Sequence, residues 1–217
     1  MSGTHIITIL DKSGSMNSKV RAVIEGYNNF LEDQKQVTDE SVFSLYVFNT
    51  QTENIINAIP LQDVEKLSTN VYYPNGGTAL LDAIGHVISE HESEPKVLVQ
   101  IITDGEENSS CNYTASDIQA LVKFKERTGW AFIYMGAGSQ AFLEAEKFGF
   151  KNDNVQQFSD TNDGFTTAYA SSGIKTRGFR LGGDYSNAAV EQAFESQLES
   201  IQAAYGSAVN TSLITSR

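Results

Sequence analysis

The chain has 217 residues, 40% of them hydrophobic, and a formal net charge of −12. That length suits one α/β domain, or one domain plus a tail, with a sizeable core, and the composition argues against wholesale disorder. The negative balance argues against nucleic acid or an anionic membrane as the main partner, because both demand a basic face. Solubility is its simplest meaning. Cys111 stands alone, so no intramolecular disulfide is possible. No leader with a basic and then an apolar region opens the sequence, and no stretch nears the roughly 20 apolar residues of a membrane span. The expected location is cytoplasmic.

Residues 4 to 16, THIITILDKSGSM, begin the pattern. Ile6, Ile7, Ile9 and Leu10 form a near-continuous β-branched run, as a strand covered on both faces requires. The run stops at Asp11, and the turn that follows places Ser13 and Ser15 two residues apart. One carboxylate and two hydroxyls can meet there, beyond a strand's carboxyl end, where open α/β sheets keep their ligands.

Val20, Val23, Ile24, Tyr27, Phe30 and Leu31 recur at helical spacing over residues 18 to 36. Residues 42 to 49 read as a strand, and 53 to 59 as an antiparallel edge strand limited by Pro60. A short helix is expected at 63 to 67. The turn Pro74-Asn75-Gly76-Gly77-Thr78 leads into a helix with an apolar stripe from Ala79 to Ile88 and an acidic end at Glu90 to Glu94, stopped by Pro95. Lys96 to Thr103 is the second buried-type strand, and it ends at Asp104-Gly105.

A polar loop spans 105 to 113. A helix at about 114 to 128 is expected to turn Ile118, Leu121, Val122 and Phe124 to the core. Residues 130 to 135 form a third central strand, followed by a turn and a helix to about Phe148. Residues 154 to 158 suit a last edge strand and 161 to 172 a last short helix. From Gly173 the chain turns rich in Gly, Ser, Asn and Thr. The predicted organisation is therefore a domain over 1–172 and an appended extension over 173–217, partly helical at about 187–204 or disordered. Strands alternating with helices predict a doubly wound, mostly parallel central sheet with helices on both faces.

Asp11, Ser13, Ser15, Thr78 and Asp104 all fall in loops at element ends. Together they offer two carboxylates and three hydroxyls, with no histidine or cysteine. Such oxygen-only donors suit Mg2+ or Mn2+, ahead of Ca2+ and against zinc or copper. The set is lean in negative charge, so a bound cation stays electrophilic toward an outside oxygen.

At these residues the sequence resembles the von Willebrand factor A (vWA) family over about residues 4 to 160. DKSGSM matches the family's D-x-S-x-S motif, Thr78 its downstream threonine and TDGE its later aspartate motif. These are the parts of its metal-ion-dependent adhesion site (MIDAS). The resemblance implies that Asp11, Ser13 and Ser15 hold the ion, with Thr78 and Asp104 contacting it directly or through water. It implies too that an acidic residue of a partner protein completes the coordination, without enzymatic activity. The likeness extends to small stand-alone vWA proteins of bacteria and phages, and nothing beyond residue 173 takes part in it.

Plainer and rival readings stand beside this one. The Asp11 turn could merely cap a helix, Asp104-Gly105 could be a turn, and Thr78 could be an N-cap. An aspartyl phosphatase needs a second aspartate where Ser13 stands, and an EF-hand needs glutamate where Ala22 stands. No P-loop and no G-x-S-x-G elbow is present. A metal-dependent hydrolase or phosphotransferase using the same cation as Lewis acid is the alternative function, and it lacks an evident general base near the motifs. Gly136 to Ala141 fits G-x-G-x-x-A, either a tight turn or a nucleotide site. His5, His86 and His91 are scattered in the sequence, Glu106-Glu107-Asn108 reads as a solvated loop ahead of one that shapes partner choice, and Lys12 is expected to be exposed. The sequence identifies neither the partner nor an oligomeric state.

Overall fold

The computed structural model describes residues 3–196. Six strands form one sheet: β1 (His5–Asp11), β2 (Val42–Phe48), β3 (Thr52–Pro60), β4 (Val97–Thr103), β5 (Ala131–Ala137) and β6 (Val155–Phe158). Their order is β3-β2-β1-β4-β5-β6, with β3 alone antiparallel. The strands predicted from apolar runs are all present, and the doubly wound α/β architecture is as expected.

Strand periodicity divides the core into two layers. Ile6 and Leu10 of β1 face α1 (Val20–Lys35) and α5 (Asn162–Leu181), whereas Ile7 and Ile9 face α2 (Leu80–Glu90) and α3 (Ala115–Arg127). The short α4 (Ala141–Lys147) closes the second layer through Ala145. Every residue of β1 and β4 is buried, which explains their unbroken apolar runs. On the α5 side, Thr8 donates to Gln100 at 3.0 Å and Gln100 donates to Ser172. This chain satisfies the polar atoms that interrupt the two apolar strands.

Three expectations need correction. The last helix does not end at 172: α5 runs to Leu181, where Gly182 closes it in the left-handed region at φ 70°. The residues that weakened its helical pattern let it lie close to α1. A Cβ on Gly173 of α5, for instance, would sit 3.2 Å from Asp33 Oδ2 of α1. Beyond residue 173 the helix is fastened by Arg180, which donates to both carboxylate oxygens of Asp39 (3.1 and 2.8 Å). Arg180 also bonds the Gln34 carbonyl (2.7 Å) and side chain (3.0 Å) and the Val37 carbonyl (3.1 Å). Residues 187–196 are again helical, with Val190 buried. The rest of the helix expected at 187–204, and the tail to 217, lie outside the described residues.

The helix expected at 63 to 67 is instead one 3-10 turn, Leu61–Asp63, followed by irregular chain. Asn28 replaces the missing helical bonds, donating to the Leu67 carbonyl at 3.1 Å and accepting its N–H at 2.8 Å. On α3, Phe124 is 57% exposed and does not face the core. Ile118, Val122 and the stem of Lys125 make the inner face, and the Lys125 ammonium sits 4.6 Å from the Trp130 ring centroid.

Candidate metal centre

β1 and β4 are adjacent and parallel, with Leu10 paired to Ile102. Their ends therefore bring Asp11 and Thr103 side by side at the carboxyl edge. Thr103 donates its hydroxyl to Asp11 Oδ2 at 2.6 Å, and the Ser13 N–H donates to Oδ1 at 2.6 Å. The Tyr72 hydroxyl donates to the Asp11 carbonyl at 2.7 Å. A 3-10 turn, Gly14–Lys19, carries the chain into α1 with Met16 buried as its anchor.

The loop carrying Thr78 is tied to the first motif by backbone bonds. Asn75 N–H donates to the Lys12 carbonyl at 2.8 Å, and Gly14 N–H to the Gly76 carbonyl at 3.0 Å. Thr78 does not cap α2. The helix start is capped from the following loop, where Glu107 accepts the Leu81 N–H (3.0 Å) and Ser110 the Asp82 N–H (3.0 Å). Asn108 accepts the Thr78 N–H at 3.0 Å and donates its own N–H to the Thr78 carbonyl at 3.0 Å. The loop expected to be merely solvated thus positions Thr78 and leaves its hydroxyl free of capping. Asp82 anchors the far end of that loop by accepting the N–H groups of Cys111, Asn112 and Tyr113, each at 2.9 Å.

The five predicted residues come together. Ser13 and Ser15 hydroxyls are 3.0 Å apart, and Ser15 donates to Asp104 Oδ1 at 2.6 Å. The position a Cβ would take on Gly105 lies 3.0 Å from Thr78 Oγ1, 3.3 Å from Ser15 Oγ and 3.6 Å from Asp11 Oδ2. Glycine therefore keeps open a small space ringed by hydroxyl and carboxylate oxygens. Oxygen donors of this number and compactness fit a hard divalent cation.

The electrostatics agree with that fit. Burial pushes the Asp11 carboxyl up to about 6, against the pull of the Thr103 and Ser13 hydrogen bonds and with a further push from Asp104. A carboxylate so desolvated favours a neighbouring cation. Lys19 was not singled out in the sequence, yet its ammonium lies 2.5 Å from Asp104 Oδ2 and 2.7 Å from Asp160. Burial lowers its proton affinity, but Asp104 and Asp160 outweigh burial and hold it charged. Its only legible signal was a basic residue one turn past the D-x-S-x-S pattern. Lys12, expected at the surface, is buried and pairs with Glu53 at 2.5 Å.

The turn from Gly136 to Ala141 borders a cleft that Asp104, Glu106 and Glu144 also line. Those carboxylates oppose a phosphate, and α4 is too short to supply a helix terminus of useful dipole. The turn is a tight connection with Gly138 at φ 77°. The histidines are not scattered: His5 and His91 meet at the opposite edge of the sheet, with ring centroids 4.8 Å apart. Among the described residues no helix is long and apolar enough to cross a membrane.

Comparison with known proteins bears on this geometry. No curated protein matches the chain. Among solved structures it is similar to the ArnB paralog VWA2 from Sulfolobus acidocaldarius, with 19% identity, a TM-score of 0.58, and coverage of 79% of this chain and 45% of that one. It is similar to proximal thread matrix protein 1 from the mussel byssus, whose structure has a zinc-occupied MIDAS motif; identity is 14%, the TM-score 0.58, and coverage 83% and 46%. The von Willebrand factor domain of the type V pili tip protein Mfa5 from Porphyromonas gingivalis matches at 8% identity and a TM-score of 0.63, over 82% of this chain and 96% of that one. The chain spans less than half the length of the first two, and at these identities the likeness is one of fold. The von Willebrand factor type A domain family itself matches residues 5–170, and the chain belongs to that family.

Proposed function

We propose that the protein is a non-enzymatic binding module that holds Mg2+ or Mn2+ at Asp11, Ser13, Ser15, Thr78 and Asp104 and engages a partner protein through that ion. Domains of this family commonly mediate protein–protein interaction. The observation that carries the reading is the space beside Gly105, bounded by Thr78, Ser15 and Asp11 oxygens. When bound, the cation supplies a Lewis-acidic centre that attracts an oxygen ligand.

The chain's own residues do the rest. Asp11 is fixed by Thr103 and the Ser13 N–H, so its carboxylate cannot swing away. Thr78 is held by the Asn108 loop with its hydroxyl unspent on α2. Lys19 offsets the charge of Asp104, which leaves the donor set electron-poor and an ion there receptive to a partner's carboxylate. Among the described residues neither the buried histidines nor Lys19 offers hydrolase chemistry a base: His5 and His91 sit at the other edge of the sheet, and Lys19 is committed to two aspartates.

Affinity capture with the intact chain tests this reading. A partner should be retained in Mg2+ or Mn2+, released by EDTA, and absent with Asp104→Ala. Capture that ignores both EDTA and that substitution would remove the metal from the interaction.

A further inference from the structure

At the amino edge of the sheet, β1 opens with His5, buried beside His91 at the end of α2 and Glu94 in the turn that follows. The length of β1, about 20 Å at a strand's rise per residue, separates this group from Asp11. One carboxylate faces both imidazoles. Glu94 Oε2 lies 2.5 Å from His5 Nδ1, and Oε1 lies 2.8 Å from His91 Nδ1. The far nitrogens are held as well, His5 Nε2 at 2.8 Å from Ser44 Oγ and His91 Nε2 at 2.8 Å from the Tyr46 hydroxyl.

Tyr46 has one hydroxyl proton, and it donates that proton to Glu90 Oε2 at 2.7 Å. Its oxygen can then only accept, so His91 donates from Nε2. A neutral His91 consequently turns the Nδ1 lone pair toward the Glu94 carboxylate, acceptor against acceptor at 2.8 Å. The contact requires a proton or a metal ion between the two groups. The His5 ring is only 4% exposed, which opposes charging it. For His5, burial holds the imidazole below its usual range despite the pull of Glu94. A metal ion supplies the charge without protonating a ring.

We propose that His5, His91 and Glu94 form a second metal site, for Zn2+ or a similar borderline transition-metal ion. One ligand atom from each residue lies within 4.8 Å of the others. A tetrahedral zinc with bonds of about 2.1 Å spaces its ligands ~3.4 Å apart, so the carboxylate contacts need open by less than about 1 Å. Ser44 and Tyr46 fix the ring orientations from behind, as the outer partners of ligating histidines do. The Glu94 side chain is 37% exposed and gives the ion a way in from solvent. Two imidazoles separate this site chemically from the oxygen-only centre and from Mg2+.

The chain has three histidines, so imidazole nitrogen NMR on the intact protein reads every ring. Added Zn2+ should move the Nδ1 resonances of His5 and His91 together and leave the exposed His86 unmoved. No histidine belongs to the Asp11–Asp104 centre, so zinc taken up there leaves all three rings unshifted. Glu94→Gln keeps the side chain's shape and should abolish the paired response, with circular dichroism confirming the fold. Tyr46→Phe should weaken zinc affinity about 10- to 100-fold. Shifts confined to His86, no ring shift at all, or a paired response undiminished in a folded Glu94→Gln protein would each overturn the proposal.

Discussion

Gly105→Ala is the sharpest perturbation of the proposed cation site. The residue does not occupy a positive φ, so alanine meets no backbone strain there. Its methyl group would lie 3.0 Å from Thr78 Oγ1, 3.3 Å from Ser15 Oγ and 3.6 Å from Asp11 Oδ2, filling the space between the oxygens. In EDTA the threonine hydroxyl has to yield by a few tenths of an ångström, while the unfolded chain loses some freedom. The net change should stay within about 1 kcal/mol. With metal the outcome differs. An ion at about 100 times its dissociation constant stabilises the wild type by roughly 2.7 kcal/mol. In a chain of this size that is about 5–11 °C in the unfolding midpoint. Thermal unfolding with and without Mg2+ or Mn2+ should show that rise in wild type and none in Gly105→Ala. A folded variant that keeps the full rise would refute the reasoning, because the ion could not then lie among these oxygens.

Other substitutions test the packing that holds the site. Arg180→Ala strips five hydrogen bonds and leaves Asp39 unpaired, and with Asp39 partly open to water the cost should be about 3 kcal/mol by urea unfolding. A loss under about 1 kcal/mol would mean that the second half of α5 is not fastened there. Burial raises the Asp39 carboxyl, but Arg180 and Ser41 outweigh it and hold the group below its usual range. Its contribution is therefore complete above the unfolded value of about 3.9 and lost as pH falls through the lower folded value. Asp39→Asn should flatten the acid limb of a stability–pH curve below about pH 4, and an unchanged limb would contradict this. Tyr72→Phe leaves the buried Asp11 carbonyl without its 2.7 Å donor and should cost about 1–2 kcal/mol. Equal stability would show that another group satisfies that carbonyl.

The sequence was most legible where local pattern and tertiary environment agree. β1 and β4 are buried on both faces and read as continuous apolar runs, so their order and their ends at Asp11 and Thr103 could be anticipated. The three motifs of the proposed metal site were legible because each sits where an element starts or stops. What escaped is set by contacts distant in sequence. The second half of α5 has weak helical propensity and is held by Arg180 reaching α1 and the loop after it. Lys12 is charged and adjacent to a turn, yet Glu53 on β3 draws it under cover. His5 and His91 are far apart in the chain and meet because β1 begins where α2 ends, a pairing that no local spacing encodes. Phe124 shows the reverse, an apolar residue on a helical face that nothing among the described residues covers.

The most direct measurement of the central claim is paramagnetic broadening of backbone amide signals by substoichiometric Mn2+ on the intact chain. Broadening should centre on Ser13, Ser15, Thr78 and Gly105, reverse with excess Mg2+ and vanish in Asp104→Ala, with the amino edge around His5 spared. Broadening centred elsewhere on the acidic surface, or unaffected by that substitution, would contradict it.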